Sequence, residues 1–396
     1  MKEKRKILFL TDNLGIGGVE KSLLELIKHL YYNFDITVAV VHKDGDLKSK
    51  FQKYANIVEI SNDKLTFSEK IIDKIKRKKI FDAFKMFQSF FKSKKKISYI
   101  RQCTNRIYEL DNLEEMFDYA VCYHKPTDIL LPYTAFRIKA KNKFLWIHTE
   151  LLGTVEEDID YYKYLYGKYD KFICVSNSVN SQLQNILNNR KKDIITIYNL
   201  LNIDEITKKA TEIPIEFSNS RLKILTVGRL SYEKGQDLAL KTARQLKQKK
   251  LDFIWFFIGD GPSKEYLKHL TEQLNLEKNI IFLGAKDNPY PYMKYCDIYV
   301  QPSREEGYGM TIAEAKLFKC SIVLTNFLTA SEHIIDNVNG FISDFDEDKL
   351  CEKILNLASD EKLRKLFSNS LSVTCFYLDS KNKINSLFDL EKEESN

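Results

Sequence analysis

The apolar positions of this chain fall in blocks, and the spacing within the blocks alternates between two kinds. Lys6–Leu10 reads as a short buried strand and is followed by the glycine-rich turn TDNLGIGGVE. Val19, Leu23, Leu26, Ile27 and Leu30 then recur at helical spacing through EKSLLELIKHL, and FDITVAVVH reads as the next strand. Strand, glycine turn, helix, strand is a βαβ unit and predicts a parallel sheet. MFDYAVCY, KNKFLWIHTE, YDKFICVSNSV and DIITIYNLLNID read as further strands with polar tips.

The alternation restarts near Arg221. RLKILTVGRL, LDFIWFFIGDGP, NIIFLGA, CDIYVQPS and CSIVLTN read as strands, and EKGQDLALKTARQLKQKK (a capped amphipathic helix) and SKEYLKHLTEQLNL read as helices between them. Two doubly wound α/β halves are therefore expected, joined through the polar run KKATEIPIEFSNSR. A length of 396 residues also suits two cores. Open parallel sheets bind ligands beyond the carboxyl ends of their strands, which is where the polar tips lie.

Composition narrows the class. Hydrophobic residues make up 44% and charged residues 30%, as in a soluble globular protein, and no apolar run is long enough to span a bilayer. The basic then apolar start, MKEKRKILFL, imitates a signal peptide, but its apolar core is too short and Asp12 and Asn13 follow. Seven scattered cysteines without a Cys-x-x-Cys pair argue against a disulfide framework or zinc site and fit a reducing cytoplasm. Of the net charge of +7, the segment 70–96 alone carries eleven Lys or Arg against two Asp. The basicity belongs to that segment, where cations interleave with Ile72, Ile75, Ile80, Phe81, Phe84, Phe87 and Phe91. Such a stretch suits an anionic membrane surface or packs on the first half; no motif favours nucleic acid.

Several short stretches carry candidate chemistry. GIGGVE opens a helix after a strand, where glycines admit a phosphate to free N–H groups. VGRLSYEKGQD places Arg229 and Lys234 just past another strand, two cations able to stabilise a departing diphosphate. In FIGDGP, Asp260 is best read as capping the next helix. SREEGYGMTIAEA sets Glu306 in a glycine-rich turn and Glu314 eight residues on in a helical stretch.

Taken in order, GIGGVE, VGRLSYEKGQD, IGDGP, FLGAKDN and SREEGYGMTIAEA resemble the motifs of glycosyltransferase family 4, the large retaining group with the GT-B fold. The resemblance is strongest over Leu222–Asn339. It implies two facing Rossmann-like domains with a cleft between them: 1–200 on the acceptor side, 201–375 binding the nucleotide sugar, and a tail, 376–396, returning as a helix to the first domain. It further implies a hexosyl group moved, with retention, from a nucleotide diphosphate sugar (a UDP-sugar favoured) to a hydroxyl of a glycan or lipid-linked acceptor in cell-surface polysaccharide synthesis. No metal or cofactor is expected, and the enzyme would be cytoplasmic, or peripheral on the inner face of the membrane through 70–96.

Residue by residue, the resemblance gives Glu306 the transferred sugar and Glu314 the ribose. Arg229 and Lys234 match the diphosphate cations, and the backbone of Gly307, Tyr308, Gly309, Met310 and Thr311 meets sugar and diphosphate. Gly284, Ala285 and Lys286 lie where the nucleobase rests, Gly17 and Gly18 beside the diphosphate, and His148, ahead of Glu150, near the donor sugar. The chain departs from the family's Asn-Pro with Asn199-Leu200. Two other readings stay open: a nucleotide-cofactor oxidoreductase, since glycine turns also bind dinucleotides, and a non-catalytic sugar-binding partner subunit.

Overall fold

The computed structural model describes residues 4–61, 65–92, 97–123, 128–151, 155–188, 193–218, 221–371 and 374–390. It comprises two compact units, residues 1–200 with 380–396, and residues 201–379. In the first, β1 (Arg5–Thr11), β2 (Phe34–Val40), β3 (Asn56–Glu59), β4 (Met116–Cys122), β5 (Lys139–Ile147), β6 (Lys171–Cys174) and β7 (Asp193–Thr196) form one sheet in the order β3-β2-β1-β4-β5-β6-β7. In the second, β8 (Leu222–Val227), β9 (Phe253–Ile258), β10 (Ile280–Gly284), β11 (Ile298–Gln301), β12 (Ser321–Thr325) and β13 (Phe341–Ser343) are ordered β10-β9-β8-β11-β12-β13. Every pairing is parallel. Both sheets follow one plan, third-second-first-fourth-fifth-sixth, the doubly wound Rossmann order.

Helices cover both faces of such sheets, so the central strands read as unbroken apolar runs. All six residues of β9, FIWFFI, are buried. The patterning misses β3 and β13. Each is the outermost strand of its sheet, only four and three residues long, too short to stand out from loop.

Two details differ from expectation. The helix Gln236–Gln248 has no side-chain cap; its N-cap is Gly235 in the left-handed region. The run Lys208–Arg221 is not a free linker over its described part: it closes the helix Ile203–Lys209 and forms a 3-10 turn at Ile215–Phe217. Phe217 is buried there with its ring 4.7 Å from that of Phe256; residues 219 and 220 lie outside the described residues.

The helix Thr374–Leu387 leads into a closing contact on the first sheet. Phe388 is fully buried against the rings of Phe34, Tyr119 and Phe144, and the Arg5 guanidinium donates to its carbonyl at 2.7 Å. The tail beyond residue 390 lies outside the described residues. Among the described residues no helix is long and apolar enough to cross a membrane.

Candidate functional site

In the second unit β8 and β11 are hydrogen-bonded neighbours, with Ile298 opposite Ile224 and Tyr299 opposite Leu225. They are its first and fourth strands, so the chain leaves them towards opposite edges of the sheet. A crevice opens beyond the carboxyl ends of such a pair. β8 feeds the loop holding Arg229 and Lys234, and β11 feeds the loop holding Glu306. The sequence-predicted cations and acid thus come from the two strands flanking the switch point.

There the Lys234 ammonium meets Glu306 Oε1 at 2.7 Å. The same oxygen accepts from Ser303 Oγ at 2.9 Å and Gln301 Nε2 at 3.2 Å. Tyr299 donates in turn to Gln301 Oε1 at 2.9 Å, fixing the amide, and Thr329 Oγ1 donates to the Glu306 carbonyl at 3.2 Å. Glu306 is buried, so its charge depends on these donors. Among the described residues these side-chain donors converge on Oε1. The sequence reading assigned Lys234 to phosphate and Glu306 to sugar separately; the structure couples them.

The two loops are bolted together. Arg304 N–H donates to the Glu233 carbonyl at 2.8 Å, and the Arg304 guanidinium forks onto Asp237 at 2.8 and 2.7 Å. It also lies over the rings of Tyr232 and Phe345 at 4.0 and 4.4 Å. Burial disfavours a charge on Asp237, yet the Arg304 fork and backbone donors hold its carboxyl below the usual range. Arg229 is exposed, and its carbonyl accepts from Gln236 Nε2 at 2.8 Å. Burial likewise works against charge on Glu233, but the Ser231 hydroxyl, the backbone, Lys234 and Arg229 hold its carboxyl low. Asp260 accepts from Gly261 N–H at 2.8 Å and Lys264 at 2.7 Å, a local turn rather than the helix cap expected of it.

After Glu306 the chain turns before entering the helix Met310–Leu317. Gly309, with φ +80°, makes the turn. It is followed by the first-turn N–H groups of Met310 and Thr311, which an α-helix leaves without intrahelical acceptors. Glu314 is 2% exposed, and Tyr290 OH donates to its Oε1 at 3.3 Å. Gly284 ends β10 at φ +72° with open space where a side chain would stand, followed by Ala285. The ammonium of Lys286 lies 3.9 Å from Glu216. These three occupy the carboxyl end of the sheet two strands from β8.

His333 underpins the turn. Its ring lies tilted 4.8 Å from that of Tyr308, and Nε2–H donates to the Tyr308 carbonyl, which fixes the tautomer. Burial, with Lys316 nearby, depresses its pKa to about 3, and burial brings that of Lys316 down to about 8. The folded state holds His333 neutral, whereas the unfolded chain takes a proton below pH ~6.5. Its contribution is therefore full above pH ~6.5 and is lost as pH falls from there towards about 3. Urea titrations of His333→Gln are expected to show a shallower loss of stability between pH 6.5 and 4.5 than the wild type; equal slopes would remove His333 from this role.

The remaining predicted residues lie in the first unit. Gly17 and Gly18 start the helix Gly18–Leu30 directly after β1. The φ of Gly17, −128°, is one any residue adopts, but a Cβ there would lie 2.1 Å from the carboxylate of buried Glu20. His148 follows β5 and is buried, its ring 4.4 Å from that of Tyr123 and parallel to Trp146. Tyr123 OH is 2.6 Å from Ser22 Oγ, which donates to Asn199 Oδ1 at 2.8 Å. His148 thus packs on Tyr123, whose hydroxyl reaches Ser22 of the helix after the glycine turn, at the carboxyl ends of β1, β4 and β5. Sequence reasoning missed Gln301, Ser303, Tyr290 and the Arg304–Asp237 fork. Only the polar tip QPS after β11 hinted at the first two.

Residues 208–370 match the family model described as glycosyl transferases group 1. A relative from Campylobacter jejuni, the N-acetylgalactosamine-N,N'-diacetylbacillosaminyl-diphospho-undecaprenol 4-alpha-N-acetylgalactosaminyltransferase, is 29% identical over 208 residues. That match spans 52% of this chain and 55% of the relative, so the chain aligns with about half of that protein. A Staphylococcus aureus relative, the capsular polysaccharide biosynthesis glycosyltransferase CapH, is 24% identical over 345 residues, 86% of this chain and 85% of CapH. The crystal structure of Anabaena HepE in complex with UDP and glucose superposes with a TM-score of 0.71 at 17% identity, covering 97% of this chain and 99% of that one. Residues 208–370 thus match a domain of the group 1 glycosyl transferases, and the two Rossmann-like units have the fold of the GT-B structures.

Proposed function

We propose that the protein is a retaining glycosyltransferase of family 4. In this reading it moves a hexosyl group from a nucleotide diphosphate sugar, a UDP-sugar favoured, to a hydroxyl of a glycan or lipid-linked acceptor in cell-surface polysaccharide synthesis. The observation that carries the reading is the Lys234–Glu306 pair at 2.7 Å beyond the switch point of the second sheet, with Arg229 on the same loop. The activities named for the Campylobacter and Staphylococcus relatives support the acceptor class, and the UDP and glucose held by HepE support the donor.

The chemistry follows from charge. The bond from the sugar's anomeric carbon to the diphosphate oxygen breaks as the acceptor oxygen bonds to the same carbon from the same face. The acceptor's proton passes to the departing phosphate oxygen. Arg229, Lys234 and the N–H groups after Gly309 face the charge developing on the diphosphate, the type of preorganisation that contributes most in such reactions. Glu306 holds a sugar hydroxyl, and Glu314, braced by Tyr290, holds the ribose. Neither acid needs to act as nucleophile, and this path requires no metal. His148 and the Gly17–Gly18 turn serve the donor sugar and diphosphate from the first unit.

A thermal-shift panel of nucleotide sugars tests the donor. One UDP-sugar is expected to raise Tm in proportion to its binding, and Glu314→Ala is expected to abolish the rise. Stabilisation by NAD(H) alone would overturn the reading in favour of an oxidoreductase. Unchanged glycan synthesis in cells carrying Arg229→Ala or Glu306→Ala would favour a non-catalytic subunit. The anomeric configuration of the product, read by NMR coupling constants, tests retention.

A further inference from the structure

The basic segment forms two helices on the first unit, Phe67–Lys76 and Ile80–Lys92, joined at Arg77–Lys79. The second has two faces of opposite fate. Asp82, Ala83, Met86 and Ser89 are buried, while Ile80, Phe81, Phe84 and Phe87 are exposed, Phe81 at 62% and Phe84 at 55%. Positions 80, 84 and 87 fall on one side of a helix and 82, 86 and 89 on the other. Ile72 and Ile75 on the first helix are also exposed. Residues 93–96 lie outside the described residues.

The inward side is fastened by charge. Asp82 takes a bidentate fork from Arg137 at 2.8 and 2.6 Å, and buried Lys74 reaches the Leu110 carbonyl at 3.2 Å and Asp111 at 3.3 Å. Arg77 and Lys79 approach the same Asp111 at 3.2 and 3.9 Å. Three cations face Asp111, with Arg77 also paired to Asp73 at 2.9 Å, and exposed Lys76 and Lys78 leave the junction positive. The helices are therefore held in one orientation, with large apolar side chains turned outward beside a cationic rim. Exposed apolar patches of this kind mark interaction surfaces.

We infer that the outer face of these helices, Ile72, Ile75, Ile80, Phe81, Phe84 and Phe87, docks on an anionic lipid bilayer. Charge complementarity selects this occupant: aromatic side chains enter the headgroup zone while the lysine rim meets acidic lipids. A protein partner of neutral surface gives the cations no role. The inference goes beyond the proposed sugar transfer and stands whether or not that reaction is correct.

The test is cosedimentation of the full chain with vesicles, without nucleotide or acceptor. Binding is expected to equimolar phosphatidylglycerol and phosphatidylcholine, and not to phosphatidylcholine alone, and is expected to weaken as salt rises. The double variant Phe84→Ser/Phe87→Ser is expected to lower the partition coefficient roughly tenfold or more with Tm unchanged, since both side chains are exposed. No pelleting with anionic vesicles, equal pelleting with neutral ones, or wild-type binding by the variant each overturns the inference. So does a solution dimer, seen by light scattering, that the same variant dissociates; that result would give the face to a second copy of the chain.

Discussion

Glu306→Gln is expected to lower turnover by roughly 10²–10³-fold while leaving affinity for UDP within about threefold. The substitution keeps the shape of the side chain and an oxygen for Ser303 and Gln301 to donate to, so the loop stays in place. What it removes is the negative charge that holds Lys234 and that, in the proposed reaction, meets the sugar. Lys234 is then free to bind the ground-state diphosphate without being aligned for its departure, a change that falls on kcat rather than on nucleotide binding. The loss of the ion pair itself costs little stability, at most ~1 kcal/mol, because Lys234 is partly exposed at 22%. Steady-state kinetics with the donor identified by thermal shift, alongside UDP titration calorimetry, separate the two quantities. Wild-type kcat in the Gln variant would mean that Glu306 only orders the loop.

Gly235→Ala is expected to be among the most damaging single-methyl changes in the second unit. Gly235 sits at φ +66°, and a Cβ there would lie 1.8 Å from the Pro302 carbonyl oxygen. That oxygen is backbone in the loop leading to Glu306, so it cannot swing aside as a side chain would. Strain and overpacking together should cost about 2–4 kcal/mol, a Tm drop on the order of 5–15 °C for a unit of this size. Gly284→Ala supplies the comparison. Its φ, +72°, is nearly the same, but nothing lies within 4 Å of the added atom, so only the conformational penalty of about 1 kcal/mol applies. Equal Tm losses in the two variants would show that backbone conformation, not the contact with Pro302, sets the requirement at Gly235.

The doubly wound fold was legible because its information is local. An apolar run of five or six residues ending in a glycine turn, followed by apolar positions at helical spacing, names both the strand and the crossover. The cations and acids at strand ends were legible for the same reason. The long-range contacts were not. Nothing in the stretch from Glu233 to Asp237 announces that Arg304, some seventy positions further along the chain, will fork onto Asp237. Nothing marks His333 as the donor to the Tyr308 carbonyl, or Tyr290 as the brace for Glu314. Each depends on which strands the sheet order makes neighbours. The coupling of Lys234 to Glu306 follows from β8 lying beside β11, a pairing that skips two intervening strands in the sequence. Even the basic segment left its outward side unread. Which aromatics face outward depends on where Arg137 and Asp111 pull on it.

The seat of Phe388 on the first sheet bears on how the polypeptide is made. Its ring closes a cluster with Phe34, Tyr119 and Phe144, so the unit translated first is completed by residues translated after residue 380. The later unit, by contrast, is one uninterrupted stretch and has its whole length once Asp379 leaves the ribosome. The order of synthesis and the order of completion are thus reversed, and until Phe388 emerges the nascent first sheet presents an uncovered aromatic surface of the kind that chaperones hold.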